Sequence, residues 1–286
     1  MMNRREWLSL WAAAAPALRG QEPDVLWVCP MDPDVREKAP GFCPRCKMAL
    51  VPGLPVHREY PLRVTATPRN WRAGERVTLR FEVLHPDTGE RVREFVEMHE
   101  MLFHLFIVSG DLEFFMHEHP EPQRDGTFVF ETVLPKKGFY RLLGDFYPAG
   151  GTPQLAVKTM FSAGSALAAF EAPVLAAEAG PARGANLEAR FWTVPETPLA
   201  GLVTQLHFEV TPGEGLEPYL SAWGHLLAAS ADLIDLIHTH PFIGEGGPRM
   251  QFNAVFPRPG MYRLWPQFQR RGVVNTLRFT VPVKAL

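Results

Sequence analysis

The sequence predicts an all-β protein made of two tandem immunoglobulin-like or cupredoxin-like β-sandwiches, preceded by a small cysteine-rich module. Three observations support this fold class. Short β-type runs recur about every eight to twelve residues, as in sandwiches. A segment of about a hundred residues occurs twice, which indicates two copies of one domain. All 3 cysteines fall in one window near the amino terminus, outside both copies.

Residues 1–17 have the features of an export signal. Arg4 and Arg5 precede an apolar stretch of about ten residues, too short to span a bilayer, and Ala15 and Ala17 form a small-x-small cleavage site. We therefore expect a periplasmic or secreted protein from which this segment is removed. The arginine pair also resembles a twin-arginine signal, with Trp7 where that pattern prefers phenylalanine, so both export routes stay open.

Residues 25–54 are predicted to form a metal-binding module. The window holds three cysteines and two methionines at short spacing: Cys29, Met31, Cys43, Cys46 and Met48. Thiolates and thioethers are soft donors that suit Cu(I), Ag(I) or Zn(II), and we expect Cu(I) to be favoured. The alternatives are a disulfide between Cys46 and either other cysteine, which leaves one thiol spare, and redox exchange through Cys43-x-x-Cys46.

The stretch from Trp27 to Gly53 closely resembles the small heavy-metal-binding domain of bacterial copper and silver efflux adaptors and some copper-transporting ATPases. That family carries Cys-Pro-Met-His-Pro and then Pro-Gly-x-Cys-Pro-x-Cys-Gly-Met-x-Leu. The resemblance implies metal ligation here and a metal efflux or metal-delivery protein as partner. Two positions depart from it, since Asp32 stands where the family has histidine and Lys47 where it has glycine.

Residues 60–163 and 186–286 are predicted to be the two sandwiches, with 164–185 as a linker containing one short helix. The stretch HLFIVSGDLEFFMHEHP at 104–120 matches HLLAASADLIDLIHTHP at 225–241 without a gap. Tyr140 and Tyr262 each follow a Pro-x-x-Gly turn, where a hydroxyl can bond back to the backbone as a tyrosine corner. A looser likeness links these copies to uncharacterised exported bacterial domains that follow the heavy-metal module.

Six of the 10 histidines lie at equivalent positions of the two copies, namely His104, His117, His119, His225, His238 and His240. The matching segments read as β-hairpins. A two-residue loop in each hairpin places the first two histidines of a copy opposite each other and the third on the same face. Three neutral imidazoles on one patch are a ligand set that zinc, copper, iron or nickel accepts, and we expect copper or zinc here. Alternatively, these histidines are core-edge groups bonded to backbone carbonyls.

The sequence therefore predicts an exported copper-binding protein for metal sequestration, delivery or resistance, and not an enzyme. One alternative is a copper-dependent oxidoreductase, because peptide-hydroxylating copper monooxygenases also pair two β-sandwiches. Another is a docking protein with metal only in the module. The net charge of -2 argues against a nucleic-acid partner. Neither sandwich contains cysteine, which excludes a blue-copper centre there.

Overall fold

The computed structural model describes residues 26–32, 34–53, 58–164, 172–243 and 246–286, and within these ranges all regular structure is β. The all-β fold class is confirmed. The predicted export signal lies outside the described residues. The helix expected in the linker is not found in its described part, residues 172–185, which instead contains the strand Ala182–Arg183. None of the described residues belongs to a helix suited in length and apolarity to crossing a membrane.

The amino-terminal module is a three-stranded antiparallel sheet with the order β2-β1-β3. Its strands are β1 (Trp27–Val28), β2 (Arg36–Glu37) and β3 (Val51–Pro52). The buried cysteines and Met48 form one apolar cluster with Met98 and Tyr147 of the first sandwich. Because a module of this size buries little apolar surface alone, its packing on the first sandwich completes its core.

The first sandwich has two antiparallel sheets, of order β4-β5-β10-β9 and β12-β11-β7-β8, with β6 also pairing with β11. Its strands are β4 (Leu62–Thr67), β5 (Arg76–Val83), β6 (Phe95–Val96), β7 (Phe103–Ser109), β8 (Phe115–Glu118), β9 (Glu121–Pro122), β10 (Phe128–Val133), β11 (Phe139–Pro148) and β12 (Gln154–Phe161). Strand β5 alternates buried and less buried positions, as expected for a strand with one core face.

The second sandwich repeats this plan, with sheets of order β13-β14-β15-β20-β19 and β16-β21-β17-β18, while β22 and β23 also pair with β21. Its strands are β13 (Ala182–Arg183), β14 (Glu188–Val194), β15 (Val203–Thr211), β16 (Leu216–Glu217), β17 (His225–Ser230), β18 (Leu236–Thr239), β19 (Pro241–Ile243), β20 (Arg249–Val255), β21 (Gly260–Arg270), β22 (Val273–Thr276) and β23 (Phe279–Val283). The hydroxyls of Tyr140 and Tyr262 each donate to a backbone carbonyl four residues upstream, at 2.9 Å, which confirms the two tyrosine corners.

The two sandwiches pack face to face through the histidine-bearing sheets. Every position of β7 is buried, because Leu105 and Ile107 face the core of their own sandwich while Phe106 faces the other domain. The shared cluster contains Phe106, Val108, Leu112 and Leu143 of the first domain and Leu227, Ala229, Leu233 and Trp265 of the second. Phe115 stacks on Trp265 at 5.0 Å between ring centroids. This interface brings the two hairpins together.

Candidate metal centres

The histidine hairpins form as predicted, but their predicted register is wrong. In the first hairpin His117 pairs with Phe106, and in the second His238 pairs with Leu227, so each register differs by two residues from the expected one. The loop is longer because Ser109 closes it, accepting from the backbone N–H of Phe114 through its hydroxyl. An even shift keeps every side chain on its face, so the three histidines of each copy still lie together.

The first histidine site consists of His104, His117 and His119, each with one ring nitrogen within 4.8 Å of the others. Nε2 of His104 lies 2.9 Å from the carbonyl oxygen of Met98. A carbonyl only accepts, so Nε2 carries the proton and Nδ1 keeps a lone pair. That Nδ1 lies 3.3 Å from Nε2 of His117 and 3.2 Å from Nε2 of His119.

The other domain fixes the tautomer of His117, in which Nδ1 carries the proton, whereas in His104 the proton is on Nε2. Nδ1 of His117 lies 2.6 Å from Oε1 of Gln267, whose amide nitrogen donates to the Thr276 hydroxyl at 2.9 Å. With its amide oxygen facing His117, Gln267 accepts from Nδ1–H, which leaves a lone pair on Nε2. Two lone pairs, on His104 and His117, thus face each other at 3.3 Å, an arrangement that a bound cation stabilises.

The second histidine site consists of His225, His238 and His240. Its contacts parallel those of the first site, and here the first domain supplies the acceptor. Nε2 of His225 donates to the Tyr219 carbonyl at 2.9 Å, and its Nδ1 lies 3.1 Å from Nε2 of His240. Nδ1 of His238 lies 2.7 Å from Oδ2 of Asp145 in the first domain. The buried Nε2 of His238 has no hydrogen-bond partner among the described residues. In the neutral ring this nitrogen carries a lone pair that an ion can bind.

The two buried acceptors behind these sites occupy equivalent positions of the two copies. Asp145 pairs with His104 across the first sheet, and Gln267 pairs with His225 across the second. Each reaches across the interface to a histidine of the other domain. Such partners fix the tautomer and orientation of metal-bound histidines. Neither site is therefore completed without the opposite sandwich.

Burial keeps five of the six site imidazoles neutral. Desolvation lowers the pKa of His104 and His119 to about 4, and it lowers the pKa of His117, His225 and His240 well below the usual value. The charges of neighbouring histidines act in the same direction. Lone pairs for metal binding are therefore present at neutral pH without competition from protons.

The spacing of the ring nitrogens matches a tetrahedral ion. With metal–nitrogen bonds of 2.0–2.1 Å, tetrahedral ligands lie about 3.3 Å apart, close to the 3.1–3.3 Å separations found here. The two sites are also neighbours, since the ring centroids of His117 and His225 are 5.5 Å apart. The residues thus fit two imidazole-bound ions side by side at the domain interface.

A backbone turn of the same shape supports both sites. His99 and Glu100 in the first copy, and Leu220 and Ser221 in the second, all adopt left-handed φ values between 46° and 66°. This conformation costs about 1–2 kcal/mol per residue for side chains other than glycine. The turns place the Met98 and Tyr219 carbonyls against His104 and His225.

His99 is a functional candidate that the sequence reasoning left out of its sites. Its equivalent in the second copy is Leu220, so the repeat carries no signal for it. The ring lies closer to the second site than to the first, 3.9 Å from His240 and 6.4 Å from His104 between centroids. Asp145 and Gln267 were also missed, because their residue types differ between the copies.

The cysteine site consists of Cys29, Asp32, Cys43 and Cys46, whose ligand atoms lie within 4.8 Å of one another. All three thiols are free and buried, which contradicts the disulfide alternative. Oδ2 of Asp32 lies 3.5 Å from Sγ of Cys43 and 3.8 Å from Sγ of Cys29. Asp32 therefore places a carboxylate beside the thiols at the family's histidine position.

The methionines predicted as ligands lie around this cysteine site. Met48 is buried in the same cluster as the thiols, and Met31 packs on that cluster from a partly exposed position. The other departure from the family pattern, Lys47, has φ 61°, the left-handed conformation that glycine adopts most easily. The backbone shape of the family is thus kept without its glycine.

One thiol of the site is poised to ionise. Sγ of Cys29 and Sγ of Cys46 are 3.4 Å apart, and the hydrogen bond from Cys46 lowers the pKa of Cys29 to about 6. Burial raises the pKa of Cys43, and the contact with Cys29 raises that of Cys46. Because the thiolate is the metal ligand, Cys29 supplies a ready anionic donor.

Comparison with known families assigns both parts of the chain. A model described as a domain of unknown function (DUF8832) matches residues 58–162 and, again, residues 187–285. The chain belongs to this family. A second model, the heavy metal binding domain, matches residues 26–52 of this DUF8832 protein. The resemblance of the module is thereby confirmed, while its link to efflux adaptors stays a prediction.

No curated protein matches the DUF8832 chain. Among solved structures, the Yersinia pseudotuberculosis adhesin InvE is similar at 10% identity and TM-score 0.25, over 77% of this chain and 58% of the adhesin. The FN1–FN3 domains of chicken CNTN1 are similar at 7% identity and TM-score 0.23, over 83% of this chain and 73% of that one. A Salmonella alpha-2-macroglobulin is similar at 14% identity and TM-score 0.26, over 87% of this chain and 16% of the macroglobulin. The chain thus spans less than two thirds of the adhesin, and these low scores carry no argument on function.

Proposed function

We propose that this DUF8832 protein is an exported, non-catalytic copper-binding protein that holds copper for sequestration, delivery or resistance. The cysteine site takes Cu(I), and each histidine site takes a copper or zinc ion. The ions are cargo in this proposal, and the protein supplies donor atoms and a buried environment. Export rests on the signal-like residues 1–17.

One observation carries the proposal: buried ring nitrogens with lone pairs converge twice, and protein acceptors fix the tautomers. Structural histidines satisfy their hydrogen bonds, because an unpaired buried polar group costs about 1–3 kcal/mol. Here the Nε2 of His238 is unpaired and the lone pairs of His104 and His117 oppose each other. A cation resolves both.

Copper is favoured over zinc at the cysteine site by the chemistry of the donors. Three thiols accept either Cu(I) or Zn(II), whereas the thioethers of Met31 and Met48 nearby are soft donors that favour Cu(I). The histidine sites accept copper or zinc, since imidazole suits both. Within the described residues these sites are strongly buried, with His104 and His225 only 1% exposed, which suits retention of an ion more than turnover of a substrate.

A copper-dependent oxidoreductase is the second candidate. The 5.5 Å separation of the His117 and His225 rings favours it, because two neighbouring copper ions can share the reduction of one dioxygen molecule. The two candidates differ in oxygen consumption. Copper-loaded protein supplied with ascorbate should consume no more oxygen than protein without copper if the protein only binds metal.

The primary test is metal stoichiometry of the full chain, titrated with Cu(I) without oxygen and with Zn(II). Wild type should bind three ions, one for each group of ligands. Changing Cys29, Cys43 and Cys46 to serine should remove one ion. Changing His117, His119, His238 and His240 to alanine should remove two ions.

A matched control changes His85 and His207 to alanine, because neither belongs to a metal-ligand group. This control should bind as wild type does. If all binding leaves with the cysteines, the histidines are structural and the sandwiches act as docking domains, so the proposal for the histidine sites is wrong.

A further inference from the structure

A cavity of about 330 Å³ lies between the module and the second histidine site. Its walls include Met31, Asp32 and Cys46 of the module, together with His99, His238 and His240. It therefore touches all three folded parts of the chain and both kinds of donor. A water molecule occupies about 30 Å³ in the liquid, so the cavity has room for a partly hydrated ion.

His99 is the imidazole in this wall that has no assigned partner. It is 8% exposed, and neither ring nitrogen has a hydrogen-bond partner among the described residues. The Leu220 backbone lies near the ring but outside hydrogen-bond geometry. Leaving two buried ring nitrogens unpaired destabilises the folded state. Leu220 at the equivalent position shows that this backbone turn also accommodates an apolar side chain.

The ring of His99 differs from the rings of the six site histidines because neither of its nitrogens has a hydrogen-bond partner among the described residues. No acceptor fixes its tautomer, so either nitrogen can present a lone pair. It lies 3.9 Å from the His240 ring and 5.5 Å from the His225 ring, although it belongs to the first domain. It thus stands at the junction of the cavity and the second histidine site.

We propose that His99 is a relay ligand, and that metal ions exchange through this cavity between the cysteine site and the second histidine site. This deepens the proposed function and rests on it. In each exchange the bonds from the ion to the thiolates are replaced by bonds to water in the cavity, and one of these is then replaced by a bond to a ring nitrogen of His99. That bond is in turn replaced by bonds to the second site. The ion keeps its oxidation state, and a released thiolate takes a proton from water.

Asp32, Asp34 and Arg45 are the Asp, Glu, Lys and Arg side chains in the described wall, and Arg45 lies 3.5 Å from Asp32, so the wall has a net negative charge that suits a cation in passage. Asp32 belongs both to the cysteine site and to the cavity wall. Arg45 pairs with Asp34 at 2.7 Å and lies 4.5 Å from the ring centre of Phe242 in the second domain. Arg45 thereby holds the module over the second sandwich. The first histidine site contributes no side chain to the described wall of this cavity.

The test uses Cd(II), a cation that accepts thiolate and imidazole ligands, and cadmium NMR on the full chain. Resonances of sulfur-bound and nitrogen-bound ions are distinct, and exchange spectroscopy measures passage between them. Wild type should show exchange between the thiolate resonance and one imidazole resonance, at a rate independent of protein concentration. The resonance of the first histidine site should exchange more slowly.

His99→Leu should slow this exchange by about tenfold or more while both resonances remain. His99→Met keeps a donor atom and should retain part of the rate. His207→Leu changes a histidine outside the cavity wall and should behave as wild type.

Unchanged exchange in His99→Leu, no exchange in wild type, or a rate proportional to protein concentration would each overturn the relay. Loss of the second-site resonance in His99→Leu would also overturn it, since His99 would then be a site ligand. Absence of imidazole resonances at saturating Cd(II) would instead overturn the proposed histidine sites themselves.

Discussion

The different acceptors behind the two histidine sites predict different metal affinities. His238 of the second site donates to the carboxylate of Asp145 at 2.7 Å, whereas His117 of the first site donates to the amide of Gln267 at 2.6 Å. Both contacts are buried, with Asp145 and Gln267 each 5% exposed. Asp145→Asn gives the second site a neutral acceptor, and Gln267→Glu gives the first site an anionic one.

The magnitude follows from the hydrogen bonds exchanged. The hydrogen bond exists with and without the ion, but the metal-bound imidazole is a stronger N–H donor, so the bond gains on binding. We set this gain for an anionic over a neutral acceptor at the difference between charged hydrogen bonds (about 1.5–3 kcal/mol) and neutral ones (about 0.5–1.5 kcal/mol), roughly 1–1.5 kcal/mol. Since 1.4 kcal/mol is a factor of about ten, Asp145→Asn should weaken the second site about tenfold. Gln267→Glu should strengthen the first site by a similar factor. Loss of such partners from metal-bound histidines typically costs about 10–100-fold.

The assay is competition for Zn(II) between the protein and a chelator of known affinity. Backgrounds in which Cys29, Cys43 and Cys46 are serine and either His119 or His240 is alanine each leave one histidine site as the intact ligand group, which assigns each affinity. Asp145 also raises the pKa of His104 through its charge, so a smaller effect on the first site is expected. Equal zinc affinity in wild type and Asp145→Asn at the second site would refute the argument from acceptors and tautomers.

Three further outcomes test the stability and the cysteine site. Burial sets the pKa of three histidines at about 4 in the folded chain, against about 6.5 when unfolded: His99, His104 and His119. The unfolded chain therefore binds more protons between these values. The free energy of unfolding of the metal-free protein should fall as pH drops from about 6.5 to about 4, by about 1.4 kcal/mol per pH unit for each such histidine; a urea midpoint independent of pH in this window contradicts it. Asp32→Ala should weaken metal binding at the cysteine site at least about tenfold while Asp32→His restores it, both measured by chelator competition, and equal affinity in all three proteins excludes Asp32 as a ligand. Trp265→Ala should lower the free energy of unfolding by about 3–5 kcal/mol, measured with urea, and a change below about 1 kcal/mol would mean that the domain interface contributes little.

The local features of the fold could be predicted from the sequence because they depend on short-range patterns. Period-two alternation placed the three histidines of each copy on one face. The two-residue register error left this result intact, because faces repeat with the same period. The error itself arose in the turn, where the Ser109 hydroxyl binds both Asp111 and the backbone of Phe114. Such a closure depends on side-chain contacts that a count of loop residues does not include.

The meeting of the two histidine sites could not be predicted from either copy alone. It depends on which sheet of each sandwich packs against the other domain, and the sequence of a single copy does not specify which sheet that is. A signal existed nonetheless in β7, where the four consecutive residues from Leu105 to Val108 are all apolar. In an antiparallel sandwich a strand with two apolar faces requires a cover on its outer side. The other domain supplies that cover here.

The reciprocal contacts give the duplication a physical role. A single sandwich would hold three imidazoles but lack the acceptor that orients one of them, because Asp145 and Gln267 each serve the opposite domain. Metal affinity and domain docking are therefore linked, since an ion that binds the oriented histidines also favours the docked state. By mass action, ligand bound at 100 times its dissociation constant adds about 2.7 kcal/mol to the stability of the state that binds it. Two residues of the first copy that differ from their equivalents in the second, His99 and Asp145, act on the second site, which is the one beside the cysteine module.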